Sequence, residues 1–538
     1  MMNEFGQVPT RKGSLRSAIE AANNSVHTVG MVAFLSGFCG FVVGWIRFAS
    51  WHQAIESAQV LAGIVHYPAD NPFYIYHTKV WSLSIQLCAA MLYAGIPERL
   101  IAYVCSGVLG MVGFQALALC AFAFCRNTFL SIAAPWVIVF CLLSRPEQMV
   151  LPYPVYFVGP LATFGSLGLS AVFLSIVLFG IGNRRLGGFL LGVCPAFHVV
   201  LGLWAWLLVF GCLLWEFPNE GSQWKQTAKF FLLGCGVSLG SLAGHFVTAH
   251  KLPHVSPDVS AAYLNAFLQY WNAHQKPVSV FSPGLWLNLV AAAMSLSWLR
   301  NRHDAFPRTS LFILRAFVVA GVAGLVMAAV TWLPNSTVPT LVQRIVPARF
   351  LNFVVVGSMA VVIGLLASQK SLLTRVSLAC LVIGVPLLDL SRIEGFVLPR
   401  VLLMVIYCAL VGVLAWWPNK ADARNEILLP SVAGAAGSRG IRALTVASCI
   451  MITVLLGPYM DSRRIAHEAR FDYAIEDWSN DPFYAQIHVT GGMLATSSMR
   501  VIQLRTRQPI LLDHDVNMLA MSWNAGRKWG AYCGSSMG

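Results

Sequence analysis

Charge is what this chain has least of. Only 11% of its 538 residues are Asp, Glu, Lys or Arg, while 57% are hydrophobic. Soluble domains carry roughly a quarter of their residues as charged side chains, so a soluble multidomain protein is excluded. Acidic residues are the scarcer kind, 22 against 36 Lys and Arg. The basic surplus makes no nucleic-acid patch, because it is scattered between apolar runs. No phosphate-cradling glycine loop and no His-Glu-x-x-His stretch occurs, and an ATP-driven pump within this chain is not expected. The 13 cysteines include no Cys-x-x-Cys pair and no Cys/His set at zinc spacing. Placed singly in apolar runs, as at Cys88, Cys105, Cys120, Cys212 and Cys408, they read as small buried apolar residues.

What is present is a series of hydrophobic runs of the length that crosses ~30 Å of hydrocarbon. Spans are expected at 26–48, 100–124, 128–144, 158–181, 186–201, 202–216, 230–249, 283–299, 309–333, 349–368, 375–390, 395–417 and 443–460. The run 79–96 is the ambiguous one. Read as a span, it puts Arg126, Arg184 and Arg185 outside. Read as an interfacial helix, it leaves the inner segments richer in Lys and Arg than the outer loops, as the positive-inside rule asks. The second reading gives 13 spans, an inward N-terminus and an outward C-terminal tail. The run 186–216 holds Gly192, Pro195 and Gly202, so two short helices are expected there rather than one long one.

The expected fold class is thus an all-α polytopic membrane protein with about 13 transmembrane helices. Residues 1–25 form a cytoplasmic N-terminus and 26–460 the membrane domain. The long first outward loop, 50–98, carries interfacial helices. Residues 461–538 make a small outward α/β tail, in which HVTGGMLATSS and MRVIQLRTRQPILLD read as strands and turns. The segment SAAYLNAFLQYWNAHQKP has Tyr263, Phe267, Tyr270 and Trp271 at helical spacing and reads as a surface helix.

Chemistry-bearing residues collect in the outward loops. Glu56 falls in an expected helix just beyond the first span, where a carboxylate can act as a base or hold a divalent ion; a solvated helix-face charge is the plainer reading. Asp70, between Pro68 and Pro72, also suits a simple turn. Arg344 and Arg349 lie in a loop running into a span, where guanidinium groups clamp phosphate or snorkel. Arg392 flanks another outer turn. His198 and His245 lie in apolar runs, where hydrogen-bonded packing is the commoner role. His274 and Lys276, after the surface helix, can meet an anionic headgroup. Arg315, inside a span, has no evident partner.

Three stretches, IESAQVLAGIVHYPADNPF, NRRLGGFLLGVCPAFHVVLGL and ATSSMRVIQLRTRQPILLD, together with the layout of spans and loops, resemble the GT-C superfamily of polytopic membrane glycosyltransferases. The resemblance covers most of the chain as architecture. It implies transfer of a sugar from a polyprenyl-phosphate donor to an acceptor at the outer face of a bacterial inner membrane, possible use of a divalent metal ion, and membrane lipid as partner. It also implies an acidic residue early in the first outer loop, as base or metal-site residue. The usual aspartate just after the span is absent here, and Glu56 is the nearest carboxylate. Two other readings stand beside it: a transporter or flippase of a lipid-linked or amphipathic solute, and a non-catalytic membrane protein of envelope assembly.

Overall fold

The computed structural model describes residues 11–47, 52–67, 74, 77–78, 80–143, 164–220, 223–250, 278, 283–301, 309–334, 337–338, 349–368, 494–495 and 510–512. These residues form twelve helices: α1 Arg11–Arg47, α2 His52–Leu61, α3 Leu83–Tyr93, α4 Glu98–Cys125, α5 Thr128–Leu143, α6 Phe164–Gly180, α7 Arg184–Phe197, α8 Val199–Glu220, α9 Gln223–Ala249, α10 Pro283–Asn301, α11 Leu311–Val330 and α12 Arg349–Ser368. Among the same residues one parallel strand pair, β1 Leu494–Ala495 and β2 Ile510–Leu512, lies in the tail. Five helices have membrane-crossing segments by length and hydropathy: His27–Ile46, Glu98–Cys125, Val199–Glu216, Lys225–Ala249 and Leu311–Val330. The expected spans 375–390, 395–417 and 443–460 lie outside the described residues, as does the surface helix around Tyr263.

Apolar side chains cannot drive helix against helix in lipid, so close packing must. Glycine provides it twice. Gly40 and Gly44 of α1 meet Gly107 and Gly110 of α4 so closely that a Cβ on Gly40 falls 2.2 Å from the Gly110 carbonyl oxygen. Gly188 and Gly192 of α7 lie against the α9 backbone; a Cβ on Gly192 falls 2.3 Å from the Phe231 oxygen. Aromatic and aliphatic side chains of α4, α6, α8 and α11, among them Phe114, Phe173, Phe179, Phe312 and Phe317, fill the centre. The outer face of α9 leaves Leu232, Leu233, Val237, Leu239, Phe246 and Val247 exposed, a continuous apolar surface of the kind lipid covers.

Contacts along α1 and α4 fix their directions. Trp45 stacks on Tyr103, Gly40 meets Gly110, and the Gln115 amide donates to the Ala33 carbonyl. The pair is therefore antiparallel, and the segment 48–97 begins and ends at one end of the bundle. Within it α2 and α3 have 10 and 11 residues, about 15–17 Å at 1.5 Å per residue, too short to cross. They pack together and cap the end of the bundle through Ile55, Ala58, Ile85, Cys88 and Leu92, against Ile101, Leu109 and Leu167. Gly95, at φ +81, makes the left-handed turn from α3 into α4. The reading of 79–96 as a non-crossing helix agrees with this geometry.

The run 186–216 is two helices. The chain reverses at His198, and α8 returns along α7 with Gly202 against Pro195. Pro195 lacks an N–H, which leaves the Leu191 carbonyl without its helical donor. The Trp206 indole N–H supplies the replacement at 2.8 Å. Two serines serve other α7 carbonyls: Ser175 donates to Gly187 at 2.9 Å and Ser238 to Gly192 at 2.7 Å. In lipid such groups have no water to turn to.

These directions give the bundle two ends. One gathers the C-termini of α4, α6, α8, α10 and α12 and the N-termini of α5, α7, α9 and α11. Arg126, Arg184, Arg185, Lys225, Lys229, Arg300 and Arg315 belong to it. The opposite end carries the α2–α3 layer, the C-terminus of α1, the N-termini of α4, α6 and α12, and the α7–α8 turn. Arg47, Arg99 and Arg349 are its arginines among the described residues.

Candidate functional site

The layer end is built mostly from neutral polar groups, with two partly buried carboxylates, Glu56 and Glu98, among them. Glu56 sits on α2 between Ile55 and Ser57, both fully buried. The same helix turns Gln59 toward the start of α4, where its amide donates to Glu98 Oε1 at 3.1 Å. Ser57 Oγ lies 2.8 Å from His77 Nδ1. Ser57 is 0% and His77 2% exposed, and burial pushes the His77 imidazole down to about 3. It is therefore neutral near pH 7. A serine beside a neutral histidine is the beginning of a nucleophile–base pair, but both are sealed from substrate. Their hydrogen bond joins α2 to the helical residues 77–78 instead. The Tyr67 ring lies 5.7 Å from the His77 ring, and burial raises the Tyr74 phenol to about 12.

A second set of bonds ties this layer to α9. The Trp81 indole donates to Ser241 Oγ at 3.0 Å, Ser241 Oγ donates to Gln86 Oε1 at 2.6 Å, and Gln86 Nε2 donates to the Ser241 carbonyl at 2.7 Å. His245, one turn further along α9, hydrogen-bonds the Thr78 backbone. Its Nδ1 is buried without a hydrogen-bond partner among the described residues.

His198 occupies the α7–α8 turn at 9% exposure. Its Nδ1 accepts from the Leu201 amide at 3.4 Å and its ring stacks on Phe164. That is the work of a helix cap. The layer reaches this turn as well, since Ser82 Oγ donates to the Phe197 carbonyl at 2.9 Å. Glu56 and His198 therefore belong to the same end of the bundle. Asp70, His274, Lys276, Arg344 and Arg392 lie outside the described residues, and Arg349 is placed as the first residue of α12. Among the described residues no three His, Cys, Asp or Glu side chains converge as a metal site.

Charge is concentrated at the opposite end. Glu216, 5% exposed near the end of α8, accepts from Arg184 at 2.8 Å through Oε2 and from Arg315 through Oε1. This gives Arg315 the partner that its sequence neighbourhood lacks. The pairing joins the start of α7, the end of α8 and the start of α11, three segments that meet only in the fold. Ser57, His77, Trp81, Ser241 and Glu216 carry no motif. The nearest sequence signals are the unmatched Arg315 and the single acidic residue in the run 186–216.

These features define a helical multi-pass membrane protein, with a capping layer of short helices at one end and a buried ion triad at the other. Comparison with protein-family models, curated proteins and solved structures found no match.

Proposed function

We propose that this chain is a GT-C-like glycosyltransferase of a bacterial inner membrane. It moves a sugar from a polyprenyl-phosphate donor to an acceptor hydroxyl at the outer face. The supporting observation is the 48–97 layer, which leaves and re-enters the bundle at one end and holds the partly buried Glu56 over it. The positive-inside rule turns the arginine- and lysine-rich end toward the cytoplasm, so the layer and Glu56 face outward. Glu56 takes the proton of the acceptor hydroxyl, whose oxygen attacks the anomeric carbon with inversion. The polyprenyl phosphate leaves with the bonding electrons, and Arg344 and Arg349, with Arg392, are the groups assigned to its charge. His274 and Lys276 are assigned to the lipid headgroup, and a divalent ion, if Glu56 held one, would stabilise the negative charge on the departing phosphate.

The test uses membranes supplied with donor lipid. Glu56→Gln abolishes sugar transfer while leaving the amount of folded protein unchanged; transfer at the wild-type rate removes Glu56 from the mechanism. Mass spectrometry of lipid that co-purifies with the chain is expected to find a polyprenyl phosphate.

One observation favours the second reading, a transporter or flippase of a lipid-linked solute. Ionised groups at membrane depth commonly mark solute pathways, and Glu216 holds two arginines between three helices. Uptake or flipping of a labelled lipid-linked sugar by vesicles, with no transfer product, would favour it.

A further inference from the structure

The α2–α3 layer is held by apolar contact and by hydrogen bonds, one of them to the Glu98 carboxylate, and one side-chain pair between it and α4 has further chemistry open to it. Cys88 lies on the buried face of α3, one turn from Ile85 and Leu92, and is 0% exposed. Cys105 lies on the facing side of α4, between Ala102 and Leu109, and is partly exposed. Their sulfurs are 3.6 Å apart. Other described thiols are engaged differently: Cys125 Sγ lies 3.3 Å from Ser131 Oγ, and Cys120 faces the Gly357 carbonyl. Packing alone asks only for small apolar side chains at positions 88 and 105. Two thiols in contact, on two helices that an Ala94–Pro97 turn already brings together, meet the first requirement of a disulfide, that the two side chains point at one another.

We propose that Cys88 and Cys105 form a reversible disulfide that staples the capping layer to the bundle. The oxidant is an external disulfide. The partly exposed Cys105, as thiolate, attacks one of its sulfurs and releases the other as a thiolate. Cys88 gives its proton to that leaving thiolate and attacks Cys105 Sγ, which expels the second external thiol. Two protein thiols become one disulfide, and one external disulfide becomes two thiols. Closing this loop removes freedom from the opened layer more than from the closed one, so the oxidised protein holds α3, and α2 packed on it, against the bundle. Formation in cells rests on the outward placement of the layer, toward the oxidising side of the membrane. Formation in the purified protein does not.

The experiment treats full-length protein in detergent with oxidised glutathione, alkylates free thiols, digests without reductant and maps the peptides by mass. A linked pair carrying Cys88 and Cys105, lighter by two hydrogens than the separate peptides, is expected. Cys88→Ser and Cys105→Ser each abolish it while eluting as monodisperse folded protein. Amide exchange over residues 83–93 speeds up when reductant is added to wild type and not when it is added to Cys88→Ser. Recovery of only glutathione adducts, or of Cys88 linked to another cysteine, overturns the staple. A second arm alkylates thiols in intact cells before lysis: the linked peptide supports a staple in the working protein, and two alkylated cysteines overturn it. Because the readout is a mass, failure here is separable from failure of the Glu56→Gln transfer assay.

Discussion

The two ends of the bundle solve the same problem with different chemistry. Each must hold together helices that do not follow one another in sequence. The basic end uses ionised groups: Glu216 between Arg184 and Arg315. The layer end relies mainly on neutral pairs, Ser57 with His77, Trp81 with Ser241 and Ser82 with the Phe197 carbonyl, with Gln59 donating to the single carboxylate of Glu98. An ionic junction is little screened when buried, but it is intolerant of a missing partner. A neutral junction divides the risk among bonds worth about 1 kcal/mol each. It can be built into a segment that closes over an end without crossing it. The difference concentrates the loss from a single substitution at the end where α7, α8 and α11 meet, and spreads it over several bonds at the end where Glu56 lies.

The largest break comes at the ionic end. Glu216→Ala leaves two partly buried guanidinium groups facing each other, and a loss of about 3–5 kcal/mol is expected from removing one side of a buried pair. Thermal unfolding of purified protein, followed by tryptophan fluorescence, measures it. Replacing the triad together, Glu216→Leu with Arg184→Met and Arg315→Met, is expected to restore most of that loss, because no unpaired charge then remains. A triple variant as unstable as Glu216→Ala would show that the arginines hold the fold by something other than this pairing.

A smaller break is expected at the layer. Ser57→Ala removes the hydroxyl partner of His77 Nδ1 in a sealed site, which costs about 1–3 kcal/mol for a buried group left unsatisfied. Hydrogen exchange resolves this locally, with faster exchange in α2 and unchanged exchange around Glu216. The same histidine makes this end acid-sensitive. Its folded-state value of about 3 lies below the ordinary 6.5, so between those values the opened chain binds a proton that the closed one does not. Layer stability is therefore complete above about pH 6.5 and falls as pH drops toward 3. His77→Gln is expected to flatten that slope; an unchanged slope would assign it to another group.

Much of this architecture is legible in the sequence, for physical reasons that also mark where legibility stops. Apolar runs of bilayer length announce helices whatever their partners, and α4, α11 and α12 begin and end within about three residues of the expected spans. The Gly192, Pro195 and Gly202 breakers announce the turn near His198. The distribution of arginine and lysine announces that 79–96 returns to the side it left. Pairings between distant helices leave no local trace. Arg315 looks unmatched because its partner is 99 residues away. Cys88 and Cys105 each read as a single apolar residue because nothing in a linear pattern says that α3 folds back along α4. Gly40 and Gly44 lie four apart, as a close helix crossing needs, but that spacing does not say which helix is crossed. Glu56 is legible as a carboxylate in a helix after the first span. The sealing of its neighbours Ile55 and Ser57 is not, because it depends on α3 and α4.

A last pair, running from an effect the size of Ser57→Ala down to the smallest, separates a donor that nothing else can replace from one that is shared. Trp206→Phe keeps a ring in place and removes the N–H that serves the Leu191 carbonyl. That oxygen has lost its helical donor to Pro195, so a cost of about 1–3 kcal/mol is expected for leaving it buried and unsatisfied. Trp81→Phe removes the N–H donated to Ser241 Oγ, but Ser241 keeps both of its bonds to Gln86, so about 0.5–1 kcal/mol is expected. A double-mutant cycle decides whether the proline is the cause. Pro195→Ala returns an N–H to the helix, and in that background Trp206→Phe should cost no more than Trp81→Phe. If Trp206→Phe costs the same with and without the proline, the indole stabilises α7 by packing, and the reversal at His198 owes nothing to the hydrogen bond.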